Sequence, residues 1–105
     1  MTDLPQALTD WFAEHAADLK AEEGISCDLG RSPDDGRNKA SVWLTLESET
    51  RLAAVTVWDS GEAELDYADV ASGQVHPEHR DLRTHADLAD AMAALGDWMR
   101  PPTSV

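Results

Sequence analysis

The run from Arg51 to Val70, RLAAVTVWDSGEAELDYADV, constrains this chain more than any other segment. It reads as two strands that alternate apolar and polar residues and meet at Asp59-Ser60-Gly61. A three-residue loop, a type I turn closed by a glycine bulge, pairs Val57 with Ala63, Val55 with Leu65 and Ala53 with Tyr67. All six are apolar or aromatic, so this side is the core face. The other side then pairs Trp58 with Glu62, Thr56 with Glu64 and Ala54 with Asp66. A two-residue loop would set Val57 opposite Glu64 and mix the faces. Because a slip of one residue turns every side chain over, the pattern supports the three-residue solution.

The same parity extends in both directions. Ile25, Cys27 and Leu29 alternate with Ser26 and Asp28, a half-buried strand, and residues 30 to 38 read as a loop. Val42, Leu44 and Leu46 alternate with Ser41, Trp43 and Thr45. An even loop at Glu47-Ser48-Glu49-Thr50 places Val42 by Val55 and Leu44 by Ala53 in the core, with Trp43 beside Ala54 outside. After a turn at 71 to 74, residues 75 to 82 form an edge strand, where Pro77 does no harm to a ladder.

Helices bracket these strands. Asp3 caps the first, Pro5 suits its first turn, and Gln6 completes a capping box. Leu8, Trp11, Phe12, His15 and Leu19 make its apolar stripe, Asp10, Glu14 and Asp18 lie on another face, and Gly24 stops it. Thr84 and Asp87 open the second helix, Leu88, Met92, Leu95 and Met99 form its stripe, and Pro101 and Pro102 end it. The expectation is an α+β fold: a two-layer sandwich with an antiparallel sheet of four or five strands. An N-terminal and a C-terminal helix flank it on one face, in one domain over residues 1–105. The other sheet face is left open.

Charge decides which partners are admissible. Asp and Glu total 21 against 8 Lys and Arg, a net charge of -13. Such a field repels phosphate, which argues against nucleic acid and anionic membranes and in favour of a basic protein partner. The N-terminal residues lack a basic start and an apolar stretch, so no signal peptide and a cytoplasmic location are expected. No apolar run approaches the length of about 20 residues that spans a bilayer.

The residues with chemical potential point away from catalysis. His76, His79 and His85 could offer three nitrogens to zinc, but Pro77 breaks any helical spacing, so no metal and no cofactor are expected. His15 reads as a packed core edge. Cys27, the one cysteine, alternates inward and reads as a shielded, inert thiol. No nucleophile elbow, phosphate loop or dinucleotide fingerprint is present, so the chain is not read as an enzyme. The open face carries more information. It should hold Trp43, Thr45, Thr56, Trp58, Glu62, Glu64 and Asp66, with Asp59 at the hairpin tip. Tryptophan among carboxylates is the composition of a surface that anchors and steers a basic partner.

The segment Val55-Thr56-Val57-Trp58-Asp59-Ser60-Gly61-Glu62, with Ser72-Gly73 at the next turn and His79 and Leu82 before the last helix, resembles the TriTu family of bacterial immunity proteins. The resemblance implies a protein made beside a polymorphic or contact-dependent antibacterial toxin, which binds the toxin domain in the cytoplasm and blocks self-intoxication. It also implies a toxin of RNase type. On that reading the toxin-binding residues are Trp43, Thr56, Trp58, Asp59, Glu62, Glu64 and Asp66, facing a basic toxin surface. The alternative is a small acidic secretion chaperone that holds an effector protein.

Overall fold

Asp3 opens the first helix: its carboxylate accepts from the Gln6 N–H at 3.1 Å. The expected capping box is only half made, because the Gln6 side chain donates to Asp10 at 2.9 Å instead. The computed structural model describes residues 3–31 and 41–100. Helix α1 spans Leu4–Glu23, strands β1 Ser26–Arg31, β2 Ser41–Glu47, β3 Arg51–Trp58, β4 Glu62–Asp69 and β5 Val75–Asp81, and helix α2 His85–Met99. The Thr84–Asp87 box is complete, with both reciprocal bonds present. Pro101 and Pro102 lie outside the described residues, as does most of the loop expected at 30 to 38. Gly30 and Arg31 belong to β1 instead.

The five strands form one antiparallel meander in the order β1-β2-β3-β4-β5. The β3–β4 register has Val57 opposite Ala63, Val55 opposite Leu65 and Ala53 opposite Tyr67, as the alternation predicts. Gly61 makes the turn possible. Its φ is 95°, its N–H donates to Trp58 O at 2.9 Å, and a Cβ there would meet Leu82 O at 2.5 Å. That space is taken because Leu82 N donates to Gly61 O at 2.7 Å, tying the hairpin to the end of β5.

The β2–β3 register differs from the expectation by two residues. Val42 faces Val57, Leu44 faces Val55, and Trp43 faces Thr56 rather than Ala54. The parity holds because the loop is still even, but the ladder zips further than the composition suggested. Ser48 N donates to Arg51 O at 2.9 Å, and Ser48 Oγ accepts from Arg51 N at 3.1 Å, leaving only Glu49-Thr50 as the turn. A serine that bonds locally lets the strands pair where a four-residue loop had been expected.

Both helices lie on one side of the sheet. α1 packs on β1, β2 and β3, and α2 on β3 and β4. Leu8, Leu44, Val55, Val57, Leu65 and Leu95 are fully buried between the layers. Each such side chain contributes about 1.5–3 kcal/mol by leaving water. Trp98 closes the α2 side. Its Nε1–H is shared by Leu52 O at 3.2 Å and Ala68 O at 3.1 Å, and the Arg51 guanidinium lies 4.1 Å from its ring centre. Arg100 joins the helices by pairing with Glu23, and this contact holds the Glu23 carboxyl below its ordinary range.

Candidate functional site

Following the register across all four ladders assembles the open face row by row. Gly30, Trp43, Thr56, Glu64 and His79 form one row. Asp28, Thr45, Ala54, Asp66 and Pro77 form the next. Trp58 sits opposite Ser41, and Glu62 sits opposite Asp81. Rows of this kind stand about 4.8 Å apart between strands and roughly 7 Å apart along one. The residues expected on the open face therefore share one surface, and Asp59 is exposed at its rim.

The charges of the strands are sorted by side. Asp28, Glu47, Glu62, Glu64, Asp66 and Asp81 all lie on the open face, and among the described residues no Lys or Arg of the sheet joins them. Arg31, Arg51 and Arg80 have the opposite parity and lie on the helix side. Two strand carboxylates accompany them there, Asp69 opposite Arg51 and Glu78 beside Arg80 at 3.2 Å. The open face of the sheet is thus negative throughout, with no Lys or Arg of the strands to offset it, among the described residues.

Trp43 is held as a platform. It is 40% exposed, and its indole lies over the backbone of Gly30, where any Cβ would fall 2.3 Å from Nε1. Trp58 is half-buried beside it. The two rings give the acidic face apolar area of the kind that anchors protein interfaces.

β5 contributes more than an edge. His79 places Nδ1 2.8 Å from Glu64 Oε1 and Nε2 3.2 Å from Asp81 Oδ1. The bond to Glu64 first, and that to Asp81 second, raise the His79 pKa above its ordinary value. His79 and Asp81 were not among the expected site residues. The signal was present, since positions 75, 77, 79 and 81 share the parity of the open face. Pro77 falls where the ladder needs no donor: the backbone bonds of Leu82 and Gln74 to β4 set a phase in which odd residues of β5 point to the free edge.

The histidines do not converge. His79 is on the open face, while His76 is on the helix side, ring edge toward Trp98 at 6.3 Å between centroids. His85 begins α2. No cluster of metal-ligating side chains occurs among the described residues. His15 is exposed rather than packed into a core edge, stacked on Trp11 at 4.4 Å. Cys27 does turn toward the helix layer, half-buried, and burial first and Asp28 second push its thiol up to about 11.

The concave features on the helix side include a groove and a cleft. A groove of about 580 Å³ is walled by Arg51, Tyr67, His76, Glu78, Arg80 and Trp98. Burial, then the 2.7 Å bond to Glu78, pushes the Tyr67 hydroxyl up to about 12. A cleft of about 330 Å³ separates the helices, with Trp11, Leu19, Met92 and Met99 on its walls. No helix of the described residues is long and apolar enough to cross a membrane.

A family model described as immunity protein TriTu matches residues 6–98, from the first turns of α1 to the last turn of α2. No curated protein matches the chain.

Proposed function

The chain belongs to the TriTu family of immunity proteins, and from that premise we propose that it binds a cognate antibacterial toxin domain and neutralises it by covering a basic surface. The contact surface is the open face, with Trp43, Thr56, Trp58, Asp59, Glu62, Glu64 and Asp66 as the toxin-binding residues. The observation that carries this reading is the sorting of charge: six strand carboxylates on the open face, the strand arginines on the other. Six carboxylates with no Lys or Arg of the strands among them, and two tryptophans beside them, match a basic partner by charge and offer it apolar anchors. Nucleases that bind phosphate are basic at their working surface, so an RNase toxin would suit this face. The protein acts in the cytoplasm by steric and electrostatic occlusion and performs no chemistry of its own.

The test is protection of cells that express the toxin domain encoded beside this gene, with thermal unfolding of each variant measured in parallel. Reversal of Glu62 and Glu64 to Lys should leave the melting temperature within a few degrees, since surface changes usually cost within about 0.5 kcal/mol. It should abolish or strongly reduce protection. Full protection by a stably folded double variant removes the open face from the interface. The alternative, a secretion chaperone, is favoured by the apolar cleft between α1 and α2. A dimer that binds an unfolded effector segment through Trp11 and Met92 would decide for it.

A further inference from the structure

We propose that the open face contains a docking point for one Lys or Arg side chain of the partner, between Glu64 and Asp81, and that His79 occupies this point in the free protein and gives up one proton to solvent when the partner's cation replaces it. The inference rests on the open-face reading above and specifies one contact within it.

The argument begins with hydrogen-bond inventory. Both ring nitrogens of His79 face carboxylate oxygens, at 2.8 Å and 3.2 Å. An ionised carboxylate only accepts, and a neutral imidazole has one donor and one lone pair. The two contacts can therefore be satisfied together only by imidazolium. Its charged surroundings are all acidic: Glu64 directly across on β4, Glu62 and Asp66 diagonal on the same strand, and Asp81 two residues on along β5. His79 is the one basic side chain of the sheet on this face among the described residues. It is 51% exposed, with Glu64 at 44% and Asp81 at 68%, so a partner side chain can reach all three.

Histidine suits a placeholder because it can discard its charge near neutral pH, which Lys and Arg cannot. A partner's permanent cation can then take over the two carboxylates without leaving a repelled imidazolium beside it. The raised pKa of His79 agrees with this arrangement. The sign follows directly. The free protein holds one more proton than the complex, so affinity rises with pH from the ordinary histidine range near 6.5 up to the raised midpoint. Outside that window it is flat, because the ring has the same charge in both states.

The experiment uses the full chain and a hexalysine peptide at low salt, with histidine ring signals and backbone amides followed by NMR across pH. In the free protein His79 should carry protons on both nitrogens at neutral pH and titrate above the ordinary range. Saturating peptide should lower its midpoint by about one unit, equivalent to roughly tenfold weaker binding at acid than at alkaline pH. His79→Gln should bind with no such dependence. Peptide binding at Glu64 and Asp66 with an unmoved His79 midpoint overturns the docking point but leaves the open-face reading standing. An ordinary His79 midpoint in the free protein does the same. No amide shift on the open face at low salt refutes the open-face reading and the docking point together.

Discussion

The indole of Trp43 occupies the space that a side chain on Gly30 would need, so that one residue of β1 is missing its Cβ for the benefit of one residue of β2. The atom in the way is the far end of a half-exposed side chain and not backbone, so Gly30→Ala has an outlet: the ring swings out. We expect a stability change within about 1 kcal/mol, because loss of ring cover is offset by the smaller chain entropy of alanine in the unfolded state. The Trp43 indole N–H resonance should move strongly, and toxin affinity should drop. An unmoved resonance would mean that the ring does not lie on Gly30.

Rings and charges on the open face should separate kinetically. Reversing Glu64 or Asp66 should slow association and flatten its salt dependence, since charges steer encounter. Trp43→Ala and Trp58→Ala should mainly raise the dissociation rate, as expected of desolvated anchors. Surface plasmon resonance at two salt concentrations reads both. Equal effects of the two classes on association alone would show that the rings are not in the interface.

Cys27 should label slowly in the native protein. A thiol pushed up to about 11 has roughly one thiolate in a thousand at pH 8, about a hundredfold fewer than an ordinary thiol. Ellman's reagent should react fully only in denaturant. Comparable native and denatured rates would contradict the inward placement of β1.

Tyr67 is the one tyrosine, so its ionisation can be followed by ultraviolet absorbance without assignment. The phenolate signal should appear only near pH 12 and unfolding should accompany it. Tyr67→Phe loses the 2.7 Å bond to Glu78, a partly exposed contact, and should cost about 1 kcal/mol. It should leave toxin binding unchanged, because Tyr67 faces the helix side.

His79 makes opposite demands on stability and on binding. Its folded pKa is raised above the unfolded value, so its contribution to stability is fully present below the unfolded pKa. That contribution is lost as pH rises through the folded pKa. Chemical denaturation should therefore show a small loss of stability across the range in which partner affinity increases. His79→Gln should remove both trends. Persistence of either in the variant would assign it to another group.

The β3–β4 hairpin was fully legible in the sequence because its two faces differ so sharply: Val55 and Leu65 cannot trade places with Thr56 and Glu64. The β2–β3 register was legible only in parity. Shifting Val42 from Val55 to Val57 keeps an apolar pair, so hydrophobic patterning is blind to a two-residue slip, and the deciding contact is a local bond of the Ser48 hydroxyl. His79 and Asp81 escaped for a related reason. Their segment has no apolar alternation, as both sides of β5 are polar, and only its pairing with β4 shows that it extends the acidic face. The platform under Trp43 is a relationship across strands, which a linear pattern cannot display.

The strand order is also a timetable. Every rung of the sheet joins neighbours in sequence, so each hairpin can close with little loop entropy as soon as its second strand is available. The helix that covers Val55 and Leu65 comes after all five strands. At roughly 5–20 residues per second of synthesis, the stretch from β5 through α2 takes on the order of one to a few seconds to emerge. For that interval a nascent chain carries a formed acidic face on one side and, on the other, an apolar face that α1 can cover over β1, β2 and part of β3 but not over β4, and it is α2 that closes the remainder.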